Sequence, residues 1–462
     1  MSLDTPISST TVAPAARLRG RLRVPGDKSI THRALLLAGM AAGRSTISGA
    51  SDGLDPRSTA RCLAELGVRV DRTIDDDGFA TYRVESRGIS GWRPPSGSLD
   101  CGNSGTTLRM LTGILAGSTI GATLDGDDSL RSRPVARIVA PLRAMGANVH
   151  ARADDSLPPV TVHGAATLVG VDHAPTVPSA QVKSAILLAG LAAEGTTLVR
   201  ESVATRDHTE RMLRARGVAI ETDDGAEPGS VVVSLAGGQR VAPLDEEVTG
   251  DVSSAVFWLV AGACHPDAEL TLEGVGVNPT RRRAVDLLRS MGARIIERDT
   301  SPAAALAEAT ESTARVGEPR ADLTVCTSDL EAIDVSPTDV AAAIDEIPVL
   351  CLAAACARGT TRIRGAIELR FKESDRLSGI AEGLNALGAR ITIEGDDLVI
   401  VGGAGHAGFG LHGGEVRTRD DHRLAMTYAV AGLIDPAPVR FDGRSAAVSY
   451  PTFFRDLERI RA

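Results

Sequence analysis

Cationic and hydroxyl-bearing side chains recur in this chain just ahead of apolar segments, a pattern suited to holding anions. In PGDKSITHR, Lys28 and Ser29 follow a tight Pro-Gly turn, and Arg33 lies one helical turn beyond Ser29 on the same face. The four-residue gap between glycines that a P-loop needs is absent. In SAQVKSA, Ser179, Gln181 and Lys183 precede another apolar run, where hydroxyl and amide groups suit phosphate or sugar-like hydroxyls. SLRSRPVARI sets Arg131, Arg133 and Arg137 around Pro134, read as a helix start. TRDHTERML carries Arg206 ahead of a helix whose Asp207 and Glu210 fit a first turn on dipole grounds alone. KESDRL spaces Lys372, Glu373 and Arg376 by three and four residues, which predicts one shared helix face. DDHRLAM places Arg423, beside His422, at a helix start, where the dipole disfavours a cation and function explains it better than stability. Taken singly, most of these are ordinary caps or solvated faces, and a surface pair contributes only ~0.3–0.5 kcal/mol.

The elements that carry them repeat. Six times, at Ser29, Asn103, Ser179, Asp251, Asp345 and Asp420, a polar start runs into an apolar helix, a small-residue turn and a strand. The spacing is roughly 75 residues, well beyond a solenoid repeat, so each unit is a sizeable αβ module. The apolar bodies are too short to span a membrane and read as buried helices. Their starts expose unpaired N–H groups and the positive end of the dipole, so converging starts would make an anion-binding cleft.

A second helix lies between the copies and ends in Gly: ELGVRV (Gly67), AMGANV (Gly146), ARGVAI (Gly217), SMGARI (Gly292) and ALGARI (Gly388). Glycine there suits a left-handed helix stop, and the β-branched residues that follow suit a strand. Asp55-Pro56, Ser132, Thr205, Asn278-Pro279 and Ser374 are the expected caps or first-turn residues. A sixth such helix, from Thr452, has no strand after it, and RLRGRLRV (Arg17 to Val24) is the expected missing partner. That makes the C-terminal half discontinuous: residues 16–25 with 249–462 in one domain, 26–248 in the other, and residues 1–15, rich in Ser, Thr and Pro, a disordered tail.

With 462 residues, 43% hydrophobic and 24% charged, the chain has material for two α/β domains, and an aromatic share of 3% leaves Ala, Leu, Val and Ile to build the cores. The six cysteines have no framework spacing and read as reduced thiols. No secretion signal is visible, so the cytoplasm is the expected location. A net charge of -9 disfavours nucleic acid, so anionic ligands must be held by a local basic cluster.

Taken together, and in this order and spacing, the motifs resemble the 5-enolpyruvylshikimate-3-phosphate synthases over about residues 17–460. The resemblance implies an α/β fold of two similar domains, each of three βαβαββ units, closing on a cleft with hinges near residues 26 and 249. It implies transfer of the enolpyruvyl group of phosphoenolpyruvate to the 5-hydroxyl of shikimate 3-phosphate, with release of phosphate. By family pattern, shikimate 3-phosphate is held by Lys28, Ser29, Arg33, Ser179, Ala180, Gln181, Arg206, Asp345 and Lys372. Phosphoenolpyruvate is held by Lys28, Asn103, Gly105, Arg133, Gln181, Arg376 and Arg423. Asp345 takes the hydroxyl proton, Glu373 serves as acid and then base at the methyl carbon, and Lys28 acts at the bridging oxygen. No metal, cofactor or covalent adduct is implied, and the expected partners are the two small substrates, with no nucleic acid or membrane and a monomeric state.

The residue types suit that chemistry on their own terms, since gathering two phosphates and two carboxylates needs a ring of Arg and Lys. Ser179-Ala180-Gln181 and TRDHTE resemble the second class of these enzymes, which includes members tolerant of the inhibitor glyphosate. Some tolerant members carry Ala where this chain has Gly105, so appreciable inhibition is expected here. Where others carry a Lys before the last Ser/Thr-x-Pro segment this chain has Val448, with Arg444 nearby. The nearest alternative is the sister transferase that acts on UDP-N-acetylglucosamine. Its reactive Cys is missing from Ser129 to Pro141, and its Lys-Asn pair is Lys28-Ser29 here. A catalytically silent binder of shikimate-type metabolites is the other alternative, disfavoured by the intact acid/base residues.

Overall fold

In the computed structural model, residues 9–164, 167–301, 317–403 and 410–461 are described. They divide into two compact units. Unit 1 gathers those within Met1–Pro25, Gly250–Glu308 and Pro319–Ala462; unit 2 gathers those within Gly26–Thr249 together with Gly317 and Glu318.

The main helices of unit 2 are α1 (Lys28–Met40), α2 (Leu54–Glu65), α3 (Gly105–Ala116), α4 (Ala136–Ala144), α5 (Ala180–Gly190) and α6 (His208–Ala215). The odd-numbered ones are the apolar bodies of the repeat and are buried along most of their length, with α3 packed against both α1 and α5. At that contact a side chain on Gly113 would put its Cβ 2.3 Å from the Ala185 carbonyl oxygen, so only glycine lets α3 and α5 approach so closely. Three four-stranded sheets cover the helices, and each is built as one parallel pair extended by an antiparallel hairpin. The first runs Glu246–Glu247, Ala42–Ala50, Ala80–Arg87, Arg69–Ile74.

Unit 1 repeats the plan with α7 (Val252–Cys264), α8 (Arg283–Ser290), α9 (Ile347–Cys356), α10 (Arg376–Ala386), α11 (His422–Ile434) and α12 (Phe453–Ile460). Every residue of α7 and α9 is buried, as helices apolar on all sides must be. Aromatic residues are scarce in the chain, yet four meet here: Trp258 stacks on Phe453 at 4.8 Å between ring centroids and donates its indole N–H to the Tyr450 hydroxyl at 3.2 Å, while Phe257 meets Phe453 edge-on.

Two expectations about the chain ends need correction. The strand Leu18–Leu22 does not follow α12 into the sixth repeat; it pairs parallel with Ala268–Gly276 and opens the fourth. Ser9–Val12, expected in a disordered tail, pairs antiparallel with Val439–Asp442 in the sixth repeat, and its Thr10, Thr11 and Val12 are β-branched. The reason lies at the crossings. Repeats one and four each begin where the chain changes unit, so neither has a preceding strand of its own for the parallel edge. Repeat one takes Glu246–Glu247 from the end of unit 2, and repeat four takes Leu18–Leu22. Residues 1–8 of the expected tail lie outside the described residues.

The five helix-ending glycines Gly67, Gly146, Gly217, Gly292 and Gly388 have φ between 78 and 99°, as the stop requires. Several helix starts fall later than read from sequence. Neither Ser132 nor Pro134 opens α4, which begins at Ala136, and Asp375 rather than Ser374 caps α10 by accepting from the Ser378 N–H at 3.0 Å.

Candidate active site

In unit 2, Asp27 caps α1 by accepting from the Ile30 N–H at 2.9 Å, which presents Lys28 and Ser29 at the helix start. Lys28 is exposed and its Nζ lies 3.0 Å from Asp55 Oδ2 at the first turn of α2. Burial works to raise the Asp55 carboxyl, but Lys28 outweighs it and the group is held below its ordinary range. Arg33 is buried and each of its guanidinium nitrogens donates: Nη1 to the Ser29 carbonyl at 3.0 Å, Nη2 to Ser184 Oγ at 3.0 Å, and Nε to Thr209 Oγ1 at 2.7 Å. It therefore ties α1 to α5 and α6 and anchors Ser29 from beneath; burial pushes its pKa down to about 10.

At the start of α3, Ser104 is the cap and Asn103 stands exposed before it. The Asn103 amide nitrogen donates to Asp127 Oδ2 at 2.9 Å, and its oxygen accepts from Arg133 Nη2 at 2.5 Å. Arg133 also donates to the Asn103 carbonyl at 3.2 Å, so the two predicted residues meet directly. Ser179 caps α5, followed by Ala180 and Gln181, whose amide oxygen accepts from Arg109 Nη1 at 2.7 Å and whose amide nitrogen donates to Thr106 Oγ1 at 2.9 Å. Arg109 escaped the sequence reading because it sits inside an apolar helix body taken whole as core. A lone cation in such a body was the available signal. Arg206 is half-buried on the segment before α6, where its charge acts on Arg33.

A hydroxyl chain behind these starts was also missed. His32 Nδ1 meets Thr59 Oγ1 at 2.7 Å, Thr59 Oγ1 meets Thr107 Oγ1 at 2.7 Å, and Thr107 Oγ1 donates to Ser104 Oγ at 2.8 Å. It joins the starts of α1 and α3, and burial pushes His32 down to about 3, so the imidazole stays neutral. Lys183, a candidate from its spacing, is instead a core residue with Nζ 2.6 Å from Glu201 Oε2 and 2.8 Å from Glu210 Oε1, all three side chains 1% exposed. Lys183→Met leaves two buried carboxylates without their cation and is expected to lower stability by about 3–5 kcal/mol in urea titrations.

In unit 1 the chemistry gathers on Arg376. It is the first residue of α10 and is fully buried, with Nη1 3.2 Å from Asp345 Oδ1, Nη2 2.6 Å from Glu373 Oε2 and Nε 2.9 Å from Asp421 Oδ2. Lys372 Nζ adds a longer contact to Asp345 Oδ1 at 3.7 Å. The expected shared helix face is corrected here: Lys372 and Glu373 precede the helix, because α10 starts only at Arg376, and the turn rather than a helical repeat brings them together. Asp345 is one residue before the α9 cap, Glu346, and 29% of its side chain is exposed, against 53% for Glu373. Burial works to lower the Arg376 pKa, but Glu373, Asp421 and Asp345 outweigh it and raise it.

Asp421, not Asp420, caps α11 by accepting from the Arg423 N–H at 2.8 Å. Arg423 is buried, lies 5.8 Å from the Phe257 ring centroid and donates from Nη1 to the Ser253 carbonyl at 3.4 Å. Its Nε has no hydrogen-bond partner, and it forms no ion pair among the described residues. Arg376 is thus saturated with carboxylates, whereas Arg423 retains donor capacity for an anion. Arg444 is exposed and forks onto Asp442, with Nη2 2.5 Å from Oδ2, so its guanidinium is already engaged.

The sequence matches the family described as EPSP synthase (3-phosphoshikimate 1-carboxyvinyltransferase) over residues 12–457. A 3-phosphoshikimate 1-carboxyvinyltransferase of Gloeobacter violaceus is 47% identical over 453 residues, covering 97% of this chain and 98% of that protein. The EPSP synthase structure from Acinetobacter baumannii superposes with a TM-score of 0.86 at 36% identity, covering 98% of each chain. The enolpyruvyl transferase NikO from Streptomyces tendae shares the fold, with a TM-score of 0.71 at 21% identity over 97% of this chain and 96% of that one. No helix among the described residues is long and apolar enough to cross a membrane. Over nearly its whole length, therefore, the chain belongs to the EPSP synthase (3-phosphoshikimate 1-carboxyvinyltransferase) family of transferases.

Proposed function

We infer that the chain transfers the enolpyruvyl group of phosphoenolpyruvate to the 5-hydroxyl of shikimate 3-phosphate, using the residues of both units named above, as a cytoplasmic monomer. The observation that carries the mechanism is the pair of partly exposed carboxylates, Asp345 and Glu373, held on one buried guanidinium. In the addition step Glu373, protonated, gives its proton to the methylene carbon of phosphoenolpyruvate. The hydroxyl oxygen bonds to the adjacent carbon as Asp345 takes its proton. The tetrahedral adduct then loses phosphate: the carbon–oxygen bond to phosphate breaks as Lys28 gives the departing oxygen a proton, Glu373 recovers a proton from the methyl carbon, and that C–H electron pair re-forms the carbon–carbon double bond. The hydroxyl proton is in balance with the one carried off on phosphate.

The anionic groups are assigned by available donors. Arg423, with donor capacity in hand, takes an anionic group of phosphoenolpyruvate, and Arg133 with Asn103 takes another. Ser29, Arg33, Ser179, Ala180, Gln181, Arg206 and Lys372 serve shikimate 3-phosphate, and Gln181 serves phosphoenolpyruvate as well. Because the residues come from both units, the reading requires the units to come together on the substrates, pivoting near residues 26 and 249. A smaller radius of gyration in solution scattering with both ligands is expected; an unchanged radius overturns the closure.

Phosphate release by the purified protein tests the function. Release is expected with shikimate 3-phosphate as acceptor and not with UDP-N-acetylglucosamine. The reverse preference assigns the sister activity, and binding without release assigns a silent binder.

A further inference from the structure

Arg109 is placed at an electrostatic cost. It lies four residues into α3, and its guanidinium folds back over the first turn of that helix, so close that a Cβ on Gly105 would stand 2.5 Å from Nη1. That end of a helix disfavours cations. Burial pushes the Arg109 pKa down to about 10, and the neighbouring charges of Arg133 and Arg137 push it the same way. Among the described residues Arg109 forms no ion pair. Its two polar contacts are to other segments: Nη1 donates to Gln181 Oε1 on α5 at 2.7 Å, and Nη2 donates to the Pro134 carbonyl, next to Arg133, at 3.1 Å. Arg109, Arg137, Ser179 and Gln181 share the lining of one hollow of about 190 Å³. Thus one side chain joins the three segments that carry Asn103, Arg133 and Gln181.

We propose that Arg109 is a positioning residue for the reaction, which fixes the orientation of the Gln181 amide, and that position 105 is glycine because any side chain there displaces Arg109. With its oxygen held by Arg109 and one amide N–H held by Thr106 Oγ1, Gln181 has its remaining N–H set in a single direction for the substrate. A methyl group at position 105 acts through this relay: the guanidinium swings away, Gln181 loses its reference, and the effect reaches phosphoenolpyruvate indirectly.

Arg109→Met is expected to raise KM for phosphoenolpyruvate about tenfold, with kcat reduced less than about threefold and an unchanged melting temperature. Arg109→Lys, which restores the charge but cannot span both Gln181 and Pro134, is expected to recover only part of that loss. The decisive test is a double-mutant cycle. Gly105→Ala should raise KM by about fivefold in the wild-type background and by less than about twofold in the Arg109→Met background. If the two effects multiply, or Arg109→Met leaves KM unchanged, the proposal is overturned. If Arg109→Met does not fold, the cycle between Gly105→Ala and Gln181→Ala decides by the same criterion. The proposal rests on the assignment of Gln181 to phosphoenolpyruvate. Wild-type turnover with shikimate 3-phosphate tests that function separately, so independent effects alongside normal wild-type turnover defeat the relay alone.

Discussion

Asp345→Asn is expected to reduce turnover with shikimate 3-phosphate by about 10²–10⁴-fold, the range for loss of a general base. The change keeps the size of the side chain and removes both its charge and its capacity to take a proton. Arg376 retains Glu373 and Asp421, so the fold has no reason to fail. Ligand affinity should change far less than rate, because a residue that acts mainly in the transition state contributes little to ground-state binding. Glu373→Gln should show a loss of similar size, since it removes the proton donor at the methylene carbon. A variant at either position that keeps more than about a tenth of wild-type turnover, measured by phosphate release, removes that residue from the acid/base role.

Arg376→Met is the corresponding loss on the side of stability. It takes the cation away from Asp421, whose side chain is 0% exposed, and from Asp345 and Glu373 as well. Breaking a buried ion set from one side destabilises by about 3–5 kcal/mol, and activity should be lost because both acid/base carboxylates lose their common anchor. The pH dependence has a definite sign. Burial raises the Asp421 carboxyl, but Arg376 outweighs it and keeps the group below its ordinary range. The stabilisation is therefore complete above the unfolded-state pKa of Asp and is lost as pH falls through the lower folded-state value. In the variant Asp421 protonates readily, so the gap in unfolding free energy between wild type and variant should be widest near neutrality and narrow on acidification. A gap constant with pH would show that Arg376 stabilises by packing rather than by charge.

Much of this was legible in the chain because repetition amplifies a weak signal. Six apolar bodies and five Gly stops each carry little information singly, but their spacing marks two helices per repeat. Most candidate residues were legible because helix starts carry polar residues in a sequence otherwise built of Ala, Leu and Val. What sequence could not distinguish was direction and occupancy. Arg33 and Arg423 look alike in text, yet every guanidinium nitrogen of one donates, to Ser29, Ser184 and Thr209, and the other retains an unpartnered Nε. Arg109 and the His32 to Ser104 hydroxyl chain were hidden because they lie within bodies that read as core. The edge strands were misassigned for a different reason. Strand pairing over some 250 residues leaves no local trace, and Leu18–Leu22 is compatible by composition with any exposed sheet edge.

The shared parallel edges bear on how the chain is made. Most of unit 2 is the continuous stretch Gly26 to Thr249, and the strand that closes its first sheet, Glu246–Glu247, lies at the late end of that stretch. Among the described residues a later contribution comes at Glu318, whose Oε1 lies 2.8 Å from His208 Nδ1. Unit 1 begins with two strands that have nothing to pair with at birth: Leu18–Leu22 must wait for Ala268–Gly276, and Ser9–Val12 for Val439–Asp442. During translation the N-terminus is thus a pair of unpaired edges held open while the middle of the chain condenses, a window in which a chaperone has something to protect.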